Sequence, residues 1–264
     1  LAWATVYGRE TEEVVVRFEN KIAIVTGAGQ GIGEGYAKAL AVEGARVAVA
    51  DLNIEQADRV AKEIEAGGGV ALAVKVDVAD AASAAAMAKT VKTAWGGIDL
   101  LVNNAAIYGG MKTDSLMAVD MDYYYRFMAV NQYGALHCTR ACYDSMVERG
   151  GGAIVNQSST AAWMAGGYYS IAKAALNSLT VSLASQLGSQ NIRVNAIAPG
   201  PTDTAATRSV VPDAYISPLV NSLAIKRLGT PEDHVGALLF LLSEDASWVT
   251  GQIFATDGGQ IVRT

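Results

Sequence analysis

Tyr169 and Lys173 stand four residues apart in a stretch with helical apolar periodicity, so a phenol and an amine share one helix face. A phenol can pass a proton to a carbonyl oxygen or take one from an alcohol, and a cation beside it favours its ionised form. Ser159 lies ten residues upstream, just past an apolar run that leads through Asn156, Gln157 and Ser158. Its hydroxyl can hold the same substrate oxygen. Tyr-x-x-x-Lys alone is a common spacing and says little. Its force comes from a turn far upstream, Thr26-Gly27-Ala28-Gly29-Gln30-Gly31-Ile32-Gly33, and from Asp51 at the end of the next apolar run.

That turn has the composition of a dinucleotide site. Its glycines permit a tight bend and let backbone approach a pyrophosphate, and the helix that follows offers amides and partial positive charge to the anion. Asp51 can accept hydrogen bonds from both hydroxyls of an adenosine ribose, and it would repel a 2′-phosphate at close range. Leu52 follows it and Gln30 is the one polar side chain among the glycines, so no neighbour relieves that repulsion. The pattern favours NAD over NADP. Asp51 can also be read as a cap for a helix starting at Ile54. Asp77 and Val78 end a third apolar run, where an adenine ring can meet them. Asn103, Asn104, Ala105 and Ala106 end a fourth, where small side chains leave a cofactor room, although Asn is also an ordinary turn residue there.

These residues sit at the ends of elements that alternate along the chain. Strand-like runs occupy 23–26, 46–50, 71–76, 100–103, 153–156, 193–196 and 252–255. They are continuously apolar, as in parallel strands buried on both faces. Helical patterns fill 31–44, 54–66, 79–94, 122–149, 168–188 and 231–243. Asp80 and Thr230 suit helix caps, Pro231 a first turn, and Gly44 and Gly188 helix ends. The alternation predicts one α/β domain, a Rossmann-type doubly wound parallel sheet with helices on both faces. The segment 199–228 breaks the rhythm with Pro199, Pro201, Pro212 and Pro218 and no strand pattern. It follows a strand end, where such sheets place ligands, and is expected to be a movable substrate lid.

With 264 residues, 51% of them hydrophobic, the chain can build one large core. A net charge of −6 without a Lys/Arg block argues against nucleic acid and anionic membranes as partners. No stretch reaches the ~20 apolar residues that span a bilayer. Cys138 and Cys142 read as small buried hydrophobes, and with His137 and His234 as the only histidines no metal site is expected. This cysteine usage fits a reducing cytoplasm. Residues 1–17, interrupted by Glu10, Glu12 and Glu13, do not read as a signal peptide; they form an extension of unknown role before a domain at 18–264.

Taken together, the motifs resemble the short-chain dehydrogenases/reductases, in the shorter subtype of that family. The likeness spans 18–264: Thr-Gly-x-x-x-Gly-x-Gly at 26–33, Asn-Asn-Ala at 103–105, Asn131, Ser159, Tyr169 with Lys173, Pro199-Gly200, Thr250-Gly251-Gln252 and Asp257-Gly258-Gly259. The resemblance implies a catalytic set of Asn131, Ser159, Tyr169 and Lys173. Tyr169 would be the general acid/base, Lys173 would favour the phenolate and hold the nicotinamide ribose, Ser159 would orient the substrate oxygen, and Asn131 would sustain a water chain from Lys173 to solvent. It also implies cofactor contacts from Gly27, Gln30, Gly31, Ile32 and Gly33, and from Asp51, Leu52, Asp77, Val78, Asn104 and Ala105. Tyr169 and Lys173 would join them, with Pro199, Gly200, Thr202 and Thr204 over the nicotinamide. Of the neighbouring pairs, only Tyr169 rather than Tyr168 has a lysine four residues later, and Ser159 is preferred to Ser158 on the family pattern. Two departures are visible. Ser159 and Tyr169 are closer together than is usual in the family, which can reshape the pocket, and Ala106 stands where a glycine is usual.

Expected pocket walls are Ile107, Tyr108, Trp163, Met164, Tyr168 and the 199–228 segment. Apolar and aromatic walls fit an uncharged hydrophobic secondary alcohol or ketone, cyclic or aromatic. Two other functions stay open. Reduction of a carrier-bound β-ketoacyl group would call for NADPH and a basic docking patch, and a non-catalytic dinucleotide-binding scaffold would be expected to lack Tyr169 or Lys173. Apolar residues on more than one face of the 168–188 pattern, such as Leu176, Val181 and Leu187, predict self-association. The family resemblance implies a homotetramer, with 248–254 as a second contact.

Overall fold

Along the first strand, β1 (Ile22–Thr26), side chains point alternately into two cores. Ala23 and Val25 pack with Tyr36, Leu40, Val60 and Leu238, while Ile22 and Ile24 pack with Met87, Val91, Cys138 and Met146. This is why the run is continuously apolar. The computed structural model describes residues 16–262, so all but the last two residues of the N-terminal extension lie outside the described residues.

After β1 come α1 (Gly31–Val42), β2 (Arg46–Asp51), α2 (Ile54–Ala66), β3 (Val70–Lys75), α3 (Ala81–Trp95) and β4 (Leu100–Asn103). The second half contains α4 (Met121–Met128), a π-helical turn (Ala129–Tyr133), α5 (Gly134–Glu148), β5 (Gly152–Gln157), α6 (Gly167–Leu187) and β6 (Ile192–Pro199). It ends with α7 (Ala205–Val210), α8 (Asp213–Ser222), α9 (Glu232–Leu242) and β7 (Ile253–Thr256). All seven strands are parallel, in the order β3-β2-β1-β4-β5-β6-β7. The doubly wound sheet is the expected one, and each expected strand occurs within a few residues of its predicted ends. Among the described residues no helix is long and apolar enough to cross a membrane.

Helix ends differ more. Asp80 caps α3, accepting the Ala82 N–H at 2.9 Å. Asp51 does not cap α2; Asn53 does, accepting from Glu55 and Gln56. Gly188 is the C-cap at which α6 ends, as expected, but it does not take the left-handed conformation usual for such a glycine. It stays right-handed and leads into a 3₁₀ turn, and Asn191 makes the left-handed residue at φ 57°. Asn tolerates that conformation better than most residues, and its amide also bonds the Gly150 carbonyl. Nor does Thr230 cap α9: the Asp233 carboxylate reaches back to accept the Thr230 N–H at 2.7 Å. Cys138 and Cys142 are free and buried, and burial pushes the Cys138 thiol up to about 12.

At the edge of the sheet opposite the strand C-termini, Asp99 ties three elements together. Its carboxylate, 5% exposed with its residue, accepts the Ile22 N–H at 2.8 Å and the Arg149 Nε–H at 2.7 Å. Removing it leaves a buried amide and a half-covered guanidinium without a partner. Asp99→Ala is expected to lower unfolding free energy by about 2–4 kcal/mol, read as a shifted urea midpoint at neutral pH. An unchanged midpoint would show that the two donors find other partners.

Candidate active site

At their C-terminal ends, β1 and β4 send their chains to opposite sides of the sheet, and a cleft of about 560 Å³ opens between them. It is lined by every residue expected at the cofactor, and by Ser159, Tyr169 and Lys173. Asn131 is the one expected site residue that does not line it.

The glycine turn is shaped by close approach. A Cβ on Gly33 would lie 2.2 Å from the Gly27 carbonyl oxygen, whereas one on Gly31 would meet only the Thr204 methyl at 3.9 Å. Gly33 therefore lets α1 close on the turn, and Gly31 leaves its backbone open to the cleft. Asn104 pins the turn from the β4 side, donating from Nδ2 to the carbonyls of Thr26 and Gly27 at 3.0 and 2.9 Å. The Thr26 hydroxyl accepts the N–H groups of Asn104 and Ala105. Gln30, at the start of α1, makes no side-chain capping bond. The first-turn amides are thus left for an anion, and the turn fits a dinucleotide pyrophosphate.

Asp51 stands at the end of β2 beside this turn. Its two oxygens accept the N–H groups of Gly29 and Asn53, each at 2.9 Å. Arg59 reaches the Gly29 carbonyl, but its guanidinium is engaged by Glu34 and Glu63. Leu52 is exposed beside the cleft. Asp77 accepts the Ala79 N–H and pairs with Arg126 at 2.9 Å. Arg126 lines the cleft too. Nothing in the sequence pointed to it, because its partner lies 49 residues away.

At the inner end, Lys173 is 2% exposed and donates from Nζ to the Gln157 carbonyl at 2.7 Å. The ammonium is 5.8 Å from the centre of the Tyr169 ring. Burial pushes the amine down to about 8. Burial also pushes the Tyr169 phenol well above its usual value, against a hydrogen bond with Ser159 that lowers it. The neighbours are turned elsewhere: the Ser158 hydroxyl donates to Asn177, and the Tyr168 hydroxyl donates to the Lys112 carbonyl. Tyr168 is buried edge-on against Phe127, so it is not a pocket wall. Trp163 does not line the cleft either, whereas Ile107, Tyr108 and Met164 do. Tyr108 packs on Tyr169 with ring centres 5.2 Å apart. Gln260 enters the cleft from beyond β7, held by the Thr160 hydroxyl at 2.8 Å.

Asn131 lies in the π-helical turn. Its Nδ2 donates to the Phe127 carbonyl at 3.0 Å, and among the described residues its Oδ1 has no hydrogen-bond partner. It faces a small cavity shared with Asn103 and Gln157, next to the main cleft. Gln157 lines both.

A glycine turn with open first-turn amides, a carboxylate beside it and a hydroxyl, phenol and amine at the inner end of one cleft are the parts a dinucleotide-dependent oxidoreductase needs. Comparison with known proteins agrees. The model of a family described as enoyl-(acyl carrier protein) reductase, a short-chain dehydrogenase group, matches residues 27–260. An uncharacterized oxidoreductase of Mycobacterium tuberculosis is 60% identical over 247 residues, 94% of this chain and 100% of that protein. The 7α-hydroxysteroid dehydrogenase of Escherichia coli is 37% identical over 93% of this chain and 96% of its own. A solved structure of 7α-hydroxysteroid dehydrogenase, complexed with NADH and 7-oxo glycochenodeoxycholic acid, superposes with a TM-score of 0.89 at 36% identity, over 96% of this chain and 99% of that one. The chain belongs to the short-chain dehydrogenase/reductase family, which binds a nicotinamide dinucleotide, and it is an oxidoreductase acting on CH–OH groups.

The buried amine makes stability depend on pH. Lys173 titrates near 8 in the fold and near 10.5 in the unfolded chain, so between those values the unfolded chain holds the extra proton. Stability from this group is therefore lowest below pH 8 and is regained as pH rises towards 10.5. Buried phenols act oppositely above pH ~10, but they cancel in a comparison with Lys173→Met. The unfolding free energy of the wild type relative to that variant is expected to rise by roughly 2–3 kcal/mol between pH 7 and pH 10.5. A difference that does not change with pH would mean that the amine is not desolvated.

Proposed function

We propose that the chain is an NAD-dependent dehydrogenase/reductase that interconverts a hydrophobic cyclic secondary alcohol and its ketone. The observation that carries this is the convergence of Ser159, Tyr169 and Lys173 at one end of a cleft whose other end presents Asp51. When bound, the nicotinamide supplies the hydride donor or acceptor. The chain's own residues do the rest. Ser159 Oγ holds the substrate oxygen, and Tyr169 Oη gives it a proton in reduction or takes one in oxidation. Lys173, fixed by the Gln157 carbonyl, brings a positive charge that favours the phenolate. The unpartnered Oδ1 of Asn131 suits it to a proton path beside Lys173.

Pro199, Gly200, Thr202 and Thr204 are placed to receive the nicotinamide end, and the 199–228 segment to act as a lid. Thr204 caps α7, accepting the Thr207 N–H at 3.1 Å, so a cofactor contact there bears directly on the lid. The substrate end is walled by Tyr108, Met111, Met164, Val210, Val211 and Leu219. None of these is charged, which supports an uncharged hydrophobic substrate, and the hydroxysteroid dehydrogenases among the relatives support a cyclic one. Asp51 supports NAD. The description of the matched family favours a second reading, a carrier-bound acyl substrate. Against it stand Asp51 and the pairing of two lid cations, Arg208 and Arg227, with Asp203 and Asp233. Self-association as a homotetramer is part of the proposal: Ile171 and Val181 are exposed on α6, and Trp248 is 98% exposed near β7. A monomer in sedimentation at micromolar concentration would count against that part.

Tyr169→Phe is expected to reduce turnover of a hydrophobic cyclic alcohol by about 10²–10⁴-fold while NAD binding persists. Wild-type oxidation should quicken with rising pH as the phenol loses its proton. Activity untouched by the substitution would remove Tyr169 from its role. Asp51→Ala is expected to narrow the preference for NAD over NADP about tenfold or more, since hydrogen bonds to a charged group are each worth ~1.5–3 kcal/mol. An unchanged ratio of kcat/KM values would show that Asp51 does not select the cofactor.

A further inference from the structure

His234, in α9, is 1% exposed and belongs to neither the cleft lining nor the catalytic set. Its Nε2 is 2.9 Å from Thr202 Oγ1, and its Nδ1 is 2.8 Å from Thr256 Oγ1 at the end of β7. The directions of these bonds can be worked out. The Thr202 hydroxyl has one proton, and the Gly200 carbonyl takes it at 3.0 Å. Thr202 Oγ1 must then accept from the ring, which puts the imidazole proton on Nε2. Nδ1 is the acceptor, and Thr256 is its donor. A single neutral tautomer satisfies all of these atoms, and burial pushes the ring down to about 4, so the neutral form is the one present at neutral pH. The carboxylates acting on it, Asp233 and Glu232, lie on its own helix, and Asp233 is engaged by Arg227.

The far end of this chain of bonds lies in the loop after β6. Gly200 and Thr202 line the cleft, and the loop is pressed onto the end of β7: the Gly200 N–H donates to the Thr256 carbonyl at 3.1 Å, and a Cβ on Gly200 would lie 2.7 Å from the Asp257 Cα. The next residues are tied to 229, with Asp203 N–H donating to the Gly229 carbonyl and Gly229 N–H to that of Pro201. His234 thus joins α9, β7 and the loop through side chains, at the point where the loop turns into the lid.

We propose that His234 is a positioning residue for the cofactor: as the neutral Nε2–H tautomer it holds the Thr202 hydroxyl, and with it the 200–202 backbone, in the shape that receives the nicotinamide end. This rests on the reading of the cleft as a dinucleotide site. The test compares two ligands. NAD carries the nicotinamide, whereas ADP-ribose carries the adenosine and both phosphates without it. Calorimetric binding of each is measured at pH 7.5 on the full chain, for the wild type, His234→Leu, His234→Gln and Thr256→Val.

His234→Leu is expected to weaken NAD about tenfold, the loss of one to two buried hydrogen bonds, and to leave ADP-ribose within about twofold. His234→Gln, which can donate to Thr202 and accept from Thr256, is expected to recover most of the lost NAD affinity. Thr256→Val removes the donor to Nδ1 without touching α9, and is expected to give a milder split of the same kind even if the leucine variant does not fold. Equal weakening of both ligands would reduce His234 to general packing and overturn the proposal, as would unchanged NAD binding in the folded variants. A wild type that binds neither ligand would overturn the dinucleotide reading itself, and the proposal with it.

Discussion

A parallel sheet covered by helices on both faces has no polar side of its own, and the placement of the site follows from that. Along β1 the side chains of Ile22 to Val25 enter one apolar layer or the other, and the backbone groups are taken by β2 and β4. Side chains that need polar partners can gather only at the strand ends. At the C-terminal ends the loops after β1 and β4 part company, and the cleft lies between them. The glycine turn, Asp51, Asp77, Asn104, Ser159 and Pro199 come from six different strand ends and from distant parts of the sequence. They meet because the strands end at one edge.

Beneath the cleft, a buried polar network carries that register into the helices. Asn103 donates to Asn156 Oδ1 at 2.9 Å, and Asn156 donates to Thr180 Oγ1 at 2.9 Å. Thr180 returns its own proton to the Leu176 carbonyl in α6. Neighbouring strand ends are thereby tied to the helix that carries Tyr169 and Lys173. Directed bonds of this kind fix the rotation and height of α6 more tightly than apolar contact does, because an unmatched buried amide costs free energy. Lys173 completes the link by donating to Gln157, one residue beyond Asn156. The amine is therefore part of the scaffold as well as of the proposed chemistry.

What was legible in the sequence was whatever depends on neighbours along the chain. The paired spacing of Tyr169 and Lys173, the glycine turn, Asp51 after its strand and the continuously apolar strands are local signals, and they lie where local rules place them. The misreadings are also physical. Tyr168 and Trp163 adjoin site residues, but adjacency does not give direction: successive helix residues differ by about 100°, so Tyr168 turns into the core while Tyr169 faces the cleft. The π-helical turn at Asn131 leaves no mark because one bulged turn disturbs the apolar period too briefly. Gly188 does end α6, yet the left-handed residue is Asn191, whose side chain bonds the Gly150 carbonyl 41 residues away. Arg126, Gln260 and His234 were illegible for a common reason. Each owes its place to a partner at least 22 residues away, and no spacing rule reaches that far.

The inner end of the site is built from groups that resist charge. Burial lowers the proton affinity of Lys173 and raises that of Tyr169, so the free protein at neutral pH holds a neutral phenol beside an ammonium close to giving up its proton. The same low polarity strengthens any attraction between the two once the phenol ionises. An exposed lysine at the same distance would be better solvated, and its field at the phenol would be weaker. Burying the amine costs stability at neutral pH, and the polar network beneath it offsets that cost while holding the amine in place. In this fold the residue whose burial costs stability in the resting protein is the one proposed to ease proton transfer, and the strand-end geometry joins the two.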